Sequence, residues 1–331
     1  MSAPFPDRQS VHAAMLLATR APSVHNSQPW RWRVTTEGLH LYADPDRHLP
    51  NIDPDSRDLL LSCGAALHHA VVALAAMGWQ AKVTRLPDEL HPTLLATIAP
   101  YRQPASELDI ALAAAIPKRR TDRRHYAWWP IPAADIKLMG SRAAGAGVVL
   151  RRVESLPKLR SIVAQAVWRH ATDQDYLTEL AAWSGRYGSS SGVPARNIPP
   201  SDPTSPIPGR FFAGAALTQP PETAAADDGA VVLALGTGDD SKLSRLQAGE
   251  ATSLVLLTAT ALGLSSCPVT EPLEIAETRE AVRVEVLGDD TYPQMLLRIG
   301  WAPVNADPLP PTPRRPLAEV VTWLDGSPLQ R

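Results

Sequence analysis

At 331 residues the chain is long enough to bury a large core and to hold two domains. Its formal charge of −2 gives no basic field for nucleic acid or an anionic membrane surface. Cys63 and Cys267 are its two cysteines, too few for a disulfide framework or a cysteine zinc site.

Met1-Ser-Ala-Pro-Phe-Pro-Asp7 has neither a basic start nor an apolar core, so no signal peptide is expected. Val11 to Leu17 reads as a helix that stops at Ala21-Pro22, since proline disfavours helix in the residue before it. The polar turn Ser23-Val-His25-Asn26-Ser-Gln28 leads into Trp30-Arg-Trp32-Arg-Val34, whose alternation predicts a half-buried strand. A polar turn between helix and strand is well placed to offer hydroxyl and amide groups to a ligand. Leu39-His-Leu41-Tyr42-Ala predicts a hairpin partner, with Glu37-Gly38 in the turn. Asp55 to Asp58 opens a helix with Leu60, Cys63, Leu67, Val71 and Leu74 at helical spacing, and Gly78 is its stop. Lys82 to Arg85 and Thr93 to Ile98 read as strands on either side of a proline-rich loop.

Lys118-Arg119-Arg120-Thr121-Asp122-Arg123-Arg124-His125-Tyr126 places five lysines and arginines and a hydroxyl in nine positions. Convergent guanidinium and hydroxyl groups are what a phosphate needs, because charge-assisted hydrogen bonds outcompete water. From Ser184 to Pro221 the chain is rich in glycine, serine and proline, and holds Phe211-Phe212. So long a loop predicts a functional lid, and its aromatics predict that it packs on something. Near the end, Pro313-Arg314-Arg315-Pro316 holds a second basic pair on a stiffened segment.

The chain also repeats itself. Val231 to Leu235 reads as a buried strand, Ser244-Arg-Leu-Gln247 as a capping box, and Leu254, Leu257, Ala261 and Leu264 as a second helical stripe. Gly64 and Gly78 stand 14 residues apart, as do Gly249 and Gly263. The repeat predicts two related α+β halves. The apolar runs Ala65 to Met77 and Ala251 to Leu264 are about 14 residues long, short of the ~20 that span a bilayer. They predict buried helices, and a cytoplasmic protein without a membrane partner.

Ala21-Pro22-Ser23-Val-His25-Asn26-Ser-Gln28-Pro29-Trp30 closely resembles the PSxxNSQPW segment of the FMN-dependent nitroreductases. Arg119 to Tyr126 resembles their R-R/H-S-x-R/K-x-F opening, and Leu264-Ser-Ser-Cys267-Pro268-Val269-Thr270-Glu271 their G-x-x-x-x-P-I-E-G segment. With the tail Thr312-Pro-Arg-Arg-Pro-Leu-Ala-Glu-Val320, the chain is identified as similar to the fused, lidded Acg-type branch found in actinobacteria. That resemblance implies a nitroreductase-like α+β fold. Two halves form an internal pseudo-dimer, each a small, mainly antiparallel sheet packed with helices. Expected bounds are 1–105 and 106–331, with a lid at about 184–221 and a C-terminal arm at about 303–331.

The resemblance also implies one FMN per chain, a monomer, and NAD(P)H as possible reductant. Arg119, Arg120, Thr121 and Arg123, with Arg314 or Arg315, are expected at the phosphate and ring. Thr270 and Glu271 are expected beside the central ring, where Glu271 replaces a glycine and puts close backbone approach in doubt. Pro22, Ser23, Asn26 and Gln28 are expected to face the flavin from the other half. The expected activity is electron transfer from NAD(P)H to a nitro or quinone acceptor, with poor turnover under the lid. The alternative is FMN storage without nitroreductase activity.

Other patterns carry less. Gly188-Ser-Ser190-Ser-Gly192 matches a hydrolase elbow in letters only, because it lies in a loop. Gly236-Thr237-Gly238 lacks the third glycine of a dinucleotide fingerprint, though Thr237 follows a strand whose end can reach the flavin in this fold. His68 and His69, about 100° apart on a helix, cannot chelate one metal from one face. No acid–base constellation emerges.

Overall fold

In the computed structural model, residues 5–186, 188–202, 204–219, 228–323 and 325–329 are described. Helix α1 (Arg8–Ala18) is capped by Asp7, whose carboxylate accepts from the Ser10 amide at 2.7 Å. Strands β1 (Trp30–Val34) and β2 (Leu39–Ala43) pair antiparallel. Trp30, Trp32 and Val34 enter the core while Arg31 and Arg33 stay outside, as the alternation predicts. Helix α2 (Arg57–Ala76), β3 (Trp79–Arg85) and β4 (Leu94–Arg102) follow, and α3 (Glu107–Ala115) opens with a Ser106–Asp109 capping box.

A second series begins with α4 (Ala133–Gly145) and β5 (Val149–Arg152). The chain then makes an excursion through α5 (Leu156–Thr172), α6 (Gln174–Trp183) and two short strands, β6 (Ser184–Arg186) and β7 (Val193–Pro194). It returns as β8 (Val231–Thr237), α7 (Lys242–Ala261), β9 (Ser265–Val269), α8 (Glu271–Glu274), α9 (Ala276–Glu285) and β10 (Tyr292–Gly300). The tail ends in α10 (Leu317–Val320) and β11 (Val321–Trp323). Residues 1–4, Pro203, Pro220 and Pro221, which fall in the expected N-terminus and lid, lie outside the described residues.

The two sheets repeat one topology. Strand order β1-β2-β4-β3 in the first matches β5-β8-β10-β9 in the second, and every neighbouring pair is antiparallel. Strand β11 is added to the first sheet in parallel with β1, through Trp32–Val321 and Arg33–Thr322, so the tail of the second series is built into the first.

The halves meet through their long helices, α2 and α7, each of 20 residues. An added Cβ on Gly64 would stand 2.1 Å from the Leu246 carbonyl oxygen, and one on Gly249 would stand 2.2 Å from that of Leu61. A constant offset relates Leu61, Gly64, His68 and Gly78 to Leu246, Gly249, Ser253 and Gly263. The contact is therefore self-complementary in the manner of a two-fold dimer interface, and His68 bonds Ser253 across it at 2.8 Å. Gly78 and Gly263 close the helices at φ +78° and +82°, a conformation that penalises any Cβ.

Two details differ from the sequence reading. The cap of α7 is Ser241, whose hydroxyl accepts from the Ser244 amide at 3.2 Å, so Ser244 sits inside the first turn. Asp239 supplies the turn ahead of it, accepting from the Ser241 amide and the Ser244 hydroxyl. Helix α2 also extends beyond its apolar run and is long and apolar enough to cross a membrane. Its burial against α1, α3 and α7 accounts for that composition.

Candidate functional site

A cavity of about 390 Å³ opens where the halves meet. The first half contributes Pro22, Ser23 and His25 from the turn after α1, with Asp58 and Ser62 from α2. Thr121, Arg123, Cys267, Thr270 and Glu271 form the opposite wall.

The turn is held in an unusual conformation. His25, Asn26 and Gln28 have φ of +45°, +55° and +54°, each disfavoured for a residue with a Cβ. Ser23 Oγ accepts from the Gln28 amide and Ser62 Oγ from the Val24 amide, both at 3.0 Å. Asn26 Nδ2 donates to the Gly192 and Pro313 carbonyls at 3.1 Å, and Oδ1 accepts from Arg314 at 3.0 Å. Gln28 Nε2 donates to the Ser190 carbonyl at 2.9 Å, while Oε1 accepts from the Arg315 amide at 2.9 Å. Pro22 and Ser23 thus line the cavity, whereas Asn26 and Gln28 tie the glycine–serine loop and the tail to the turn.

Arg119 lies two residues ahead of cavity-lining Thr121. It is buried, and its Nε and Nη1 have no hydrogen-bond partner among the described residues. Burial, reinforced by Arg120 and Arg20, lowers its pKa to about 10. Burial and the charges of Arg119, Arg20 and Arg120 lower Arg314 to about 9. Unlike Arg119, Arg314 is saturated: it donates to the Thr19, Arg20 and Ala21 carbonyls at 3.0, 2.9 and 3.2 Å, at the end of α1. Arg120 donates to the Pro117, Arg119 and Leu309 carbonyls. Arg315 meets Asp44 at 3.3 Å and Glu319 at 3.6 Å. A buried guanidinium with unmet donors beside other cations is costly by itself. It suits a dianionic group such as a phosphate, so the donor set fits the FMN that the sequence implies.

The sequence reading missed Arg210. Its guanidinium reaches into the cavity and donates to Tyr176 Oη at 2.8 Å, Thr270 Oγ1 at 3.1 Å and Glu274 Oε1 at 2.5 Å, and lies 2.9 Å from His25 Nε2. Burial opposes its charge, but Glu274, Tyr176 and Glu271 outweigh burial and raise its pKa. Phe212 follows it into the cavity, edge-on to His25 at 5.6 Å and 4.9 Å below the Arg123 guanidinium. Phe211, expected to pack beside it, is 53% exposed.

Thr270 Oγ1 donates to Glu274 at 2.7 Å, and buried Glu271 bonds His170 at 3.2 Å. Thr237 instead bonds Asp239 and Gln294, away from the cavity lining. The same offset that relates the halves carries Ala65 and Thr270, both cavity residues, onto Glu250 and Arg85. There the pair forms a two-pronged salt bridge at 2.5 and 2.8 Å with Glu250 buried, so side chains fill the related position.

No family model matches the chain. A Mycobacterium tuberculosis H37Rv protein provisionally named an NAD(P)H nitroreductase is 62% identical over 323 residues, covering 98% of this chain and 94% of its own. Acg of the same strain, also provisionally named an NAD(P)H nitroreductase, is 36% identical over 318 residues, covering 94% of each chain. Among solved structures, a nitroreductase with bound FMN from Desulfitobacterium hafniense DCB-2 is 11% identical, with a TM-score of 0.41, covering 65% of this chain and 98% of its own. NfnB of Mycobacterium smegmatis, an FMN-dependent nitroreductase in complex with NADPH, is 18% identical at a TM-score of 0.40, covering 64% and 97%.

Proposed function

The chain belongs to the nitroreductase family that includes Acg, and on that premise we propose that it is an FMN-binding oxidoreductase carrying electrons from NAD(P)H to a nitro or quinone acceptor, slowly, because segment 204–212 covers the flavin. The observation that carries this reading is Arg119, a buried cation with unmet donors two residues ahead of Thr121, which lines a cavity shared by the halves.

Arg119 would meet the phosphate, and Arg314, whose donors are already taken, would add its positive charge nearby. Pro22, Ser23, Thr121, Arg123 and Thr270 would frame the ring. FMN supplies the hydride and electron transfer, and the protein supplies position, charge and access. Arg123, half-buried and lying over an aromatic ring contributed by Phe212, is placed to stabilise negative charge on a bound planar ring. Asn26, Gln28, Arg120 and Arg315 act as positioning residues through the turn and tail. Glu271, already bonded to His170, shapes the cavity wall.

One flavin per chain is supported by the Arg85–Glu250 pair at the related position. A monomer divided at 1–105 and 106–331 is supported by halves that already cover each other. Two buried free cysteines suit a reducing cytoplasm.

A second reading, flavin storage, is favoured by the firmness of the cover: Arg210, which lines the cavity, has four polar partners. Anaerobic stopped-flow mixing with NAD(P)H separates the two. An active, covered enzyme bleaches the FMN absorbance slowly, and Phe212→Ala accelerates it. Storage predicts no bleaching in either protein, while dithionite still reduces both.

A further inference from the structure

Segment 204–212 presents a cation and an aromatic ring to the cavity, with Arg210 Cζ 6.0 Å from the Phe212 ring centroid. The cation is received by groups from two other elements. Glu274 on α8 accepts at 2.5 Å, Glu271 on the same helix lies at 4.0 Å, and Tyr176 on α6 accepts at 2.8 Å. Tyr176 is itself stacked on His170, with ring centroids 3.8 Å apart, which makes the receiving wall planar and fixed. Carboxylates with a π face form the environment in which a desolvated cation is bound most strongly.

The nest holds more acceptors than Arg210 uses. Glu274 Oε2 and Asp58 Oδ2 are both buried, and neither has a hydrogen-bond partner among the described residues. Asp58 lines the cavity, and its other oxygen accepts from Arg57 at 2.7 Å. Remove Arg210 from the nest, and Glu274 keeps no cationic partner among the salt bridges of the described residues. A buried carboxylate left in that state must take up a proton or another cation.

We propose that Glu274, Glu271, Asp58 and Tyr176 form a cation subsite in the substrate cavity, and that Arg210 and Phe212 occupy it as an internal stand-in for a cationic aromatic substrate. The subsite rests on the reading of segment 204–212 as a cover, and extends it to the class of acceptor admitted when the cover is displaced. An acceptor with a protonated amine or guanidinium group beside an aromatic ring fits this chemistry. The polyanionic part of a dinucleotide is repelled from it.

The test is calorimetric binding of phenethylguanidinium and of its uncharged isostere phenethylurea to purified Arg210→Ala and to the parent. The subsite predicts that Arg210→Ala binds phenethylguanidinium at least tenfold more tightly than phenethylurea. It also predicts that adding Glu274→Gln erases the preference, and that the parent, with Arg210 in place, binds neither measurably. Equal binding of both compounds by Arg210→Ala, or a preference that survives Glu274→Gln, overturns it. If Arg210→Ala does not fold alone, recovery with phenethylguanidinium but not with phenethylurea supports the subsite, and recovery with neither overturns it. FMN content measured on the same preparations keeps the two ideas apart. Flavin retained without cation preference overturns the subsite alone, whereas absent flavin overturns the flavin reading and leaves the binding comparison interpretable.

Discussion

Gly64 and Gly249 face each other at the crossing of α2 and α7, where a Cβ on Gly64 would lie 3.0 Å from Gly249 Cα and nearer still to the Leu246 carbonyl. Backbone meets backbone there, so no side chain can swing aside. Gly64→Ala or Gly249→Ala is expected to cost at least about 2 kcal/mol, the upper part of the overpacking range. The double variant should cost less than the sum, because one separation of the helices relieves both clashes. Chemical denaturation checks this, and a change within about 0.5 kcal/mol for either single variant would contradict the close crossing.

Arg119 and Arg314 should respond with opposite signs. Arg119→Met removes a buried charge with unmet donors, so FMN-free protein should be as stable as the parent or more so. Its FMN affinity should fall by one to three charge-assisted hydrogen bonds at about 1.5–3 kcal/mol each, at least about tenfold. Arg314→Met abandons the carbonyls at the end of α1 and should lower stability with or without flavin. Thermal melts paired with fluorescence titration separate the cases. A destabilised FMN-free Arg119→Met would show that its donors are already satisfied.

Asn26 is expected to matter through the backbone it gathers. Asn26→Ala takes the side-chain donor from the Gly192 carbonyl, removes one donor to the Pro313 carbonyl and one acceptor of Arg314, and places alanine at φ +55°. Each lost buried partner costs about 1–3 kcal/mol, so the variant should melt well below the parent and release the tail. Protease sensitivity that appears first within residues 303–323 would mark that release. An unchanged melt would mean the turn is fixed by Ser23 and Ser62 alone.

His125 clasps the chain just ahead of segment 204–212, which we propose as the cover. One ring nitrogen lies 3.3 Å from Asp228 and the other 3.0 Å from Asp202. The bond to Asp228 raises its pKa, burial works against the rise, Asp202 adds to it and Arg298 opposes it. The folded pKa therefore lies above the unfolded one. The clasp is complete below the ordinary histidine value near 6.5 and weakens as pH rises through the raised value. Tryptic cleavage at Arg210 should increase over that window in the parent. In His125→Gln, which cannot titrate, the increase should vanish once trypsin's own pH dependence is divided out. A parent-to-variant ratio independent of pH would contradict the clasp.

The repeat was legible because backbone contact leaves a strong mark: Gly64 and Gly249 cannot carry a side chain, and Gly78 and Gly263 need positive φ. The turn Pro22–Gln28 and the arginines from Arg119 were legible as local patterns. Arg210 was not, since its partners His25, Tyr176 and the Thr270–Glu274 pair come from three separate places in the chain. Nothing in Pro208-Gly-Arg-Phe-Phe212 distinguishes a buried arginine from an exposed one. The cap of α7 was misplaced for a local reason, as both Ser241 and Ser244 have the right side chain and only the Asp239 turn selects between them. Asn26 and Gln28 were expected at the flavin; a short polar side chain in a turn can serve backbone and ligand with the same atoms, and here those atoms bond the Gly192, Pro313 and Ser190 carbonyls and the two tail arginines.

The central claim is that one FMN is held between the halves, with its phosphate at Arg119. The most direct measurement is FMN released per chain by denaturation, after saturating the purified protein and removing free flavin, for the parent and Arg119→Met. The account predicts one FMN per parent chain and a large loss in the variant. No retained FMN in the parent, two per chain, or an unchanged value in Arg119→Met would contradict it.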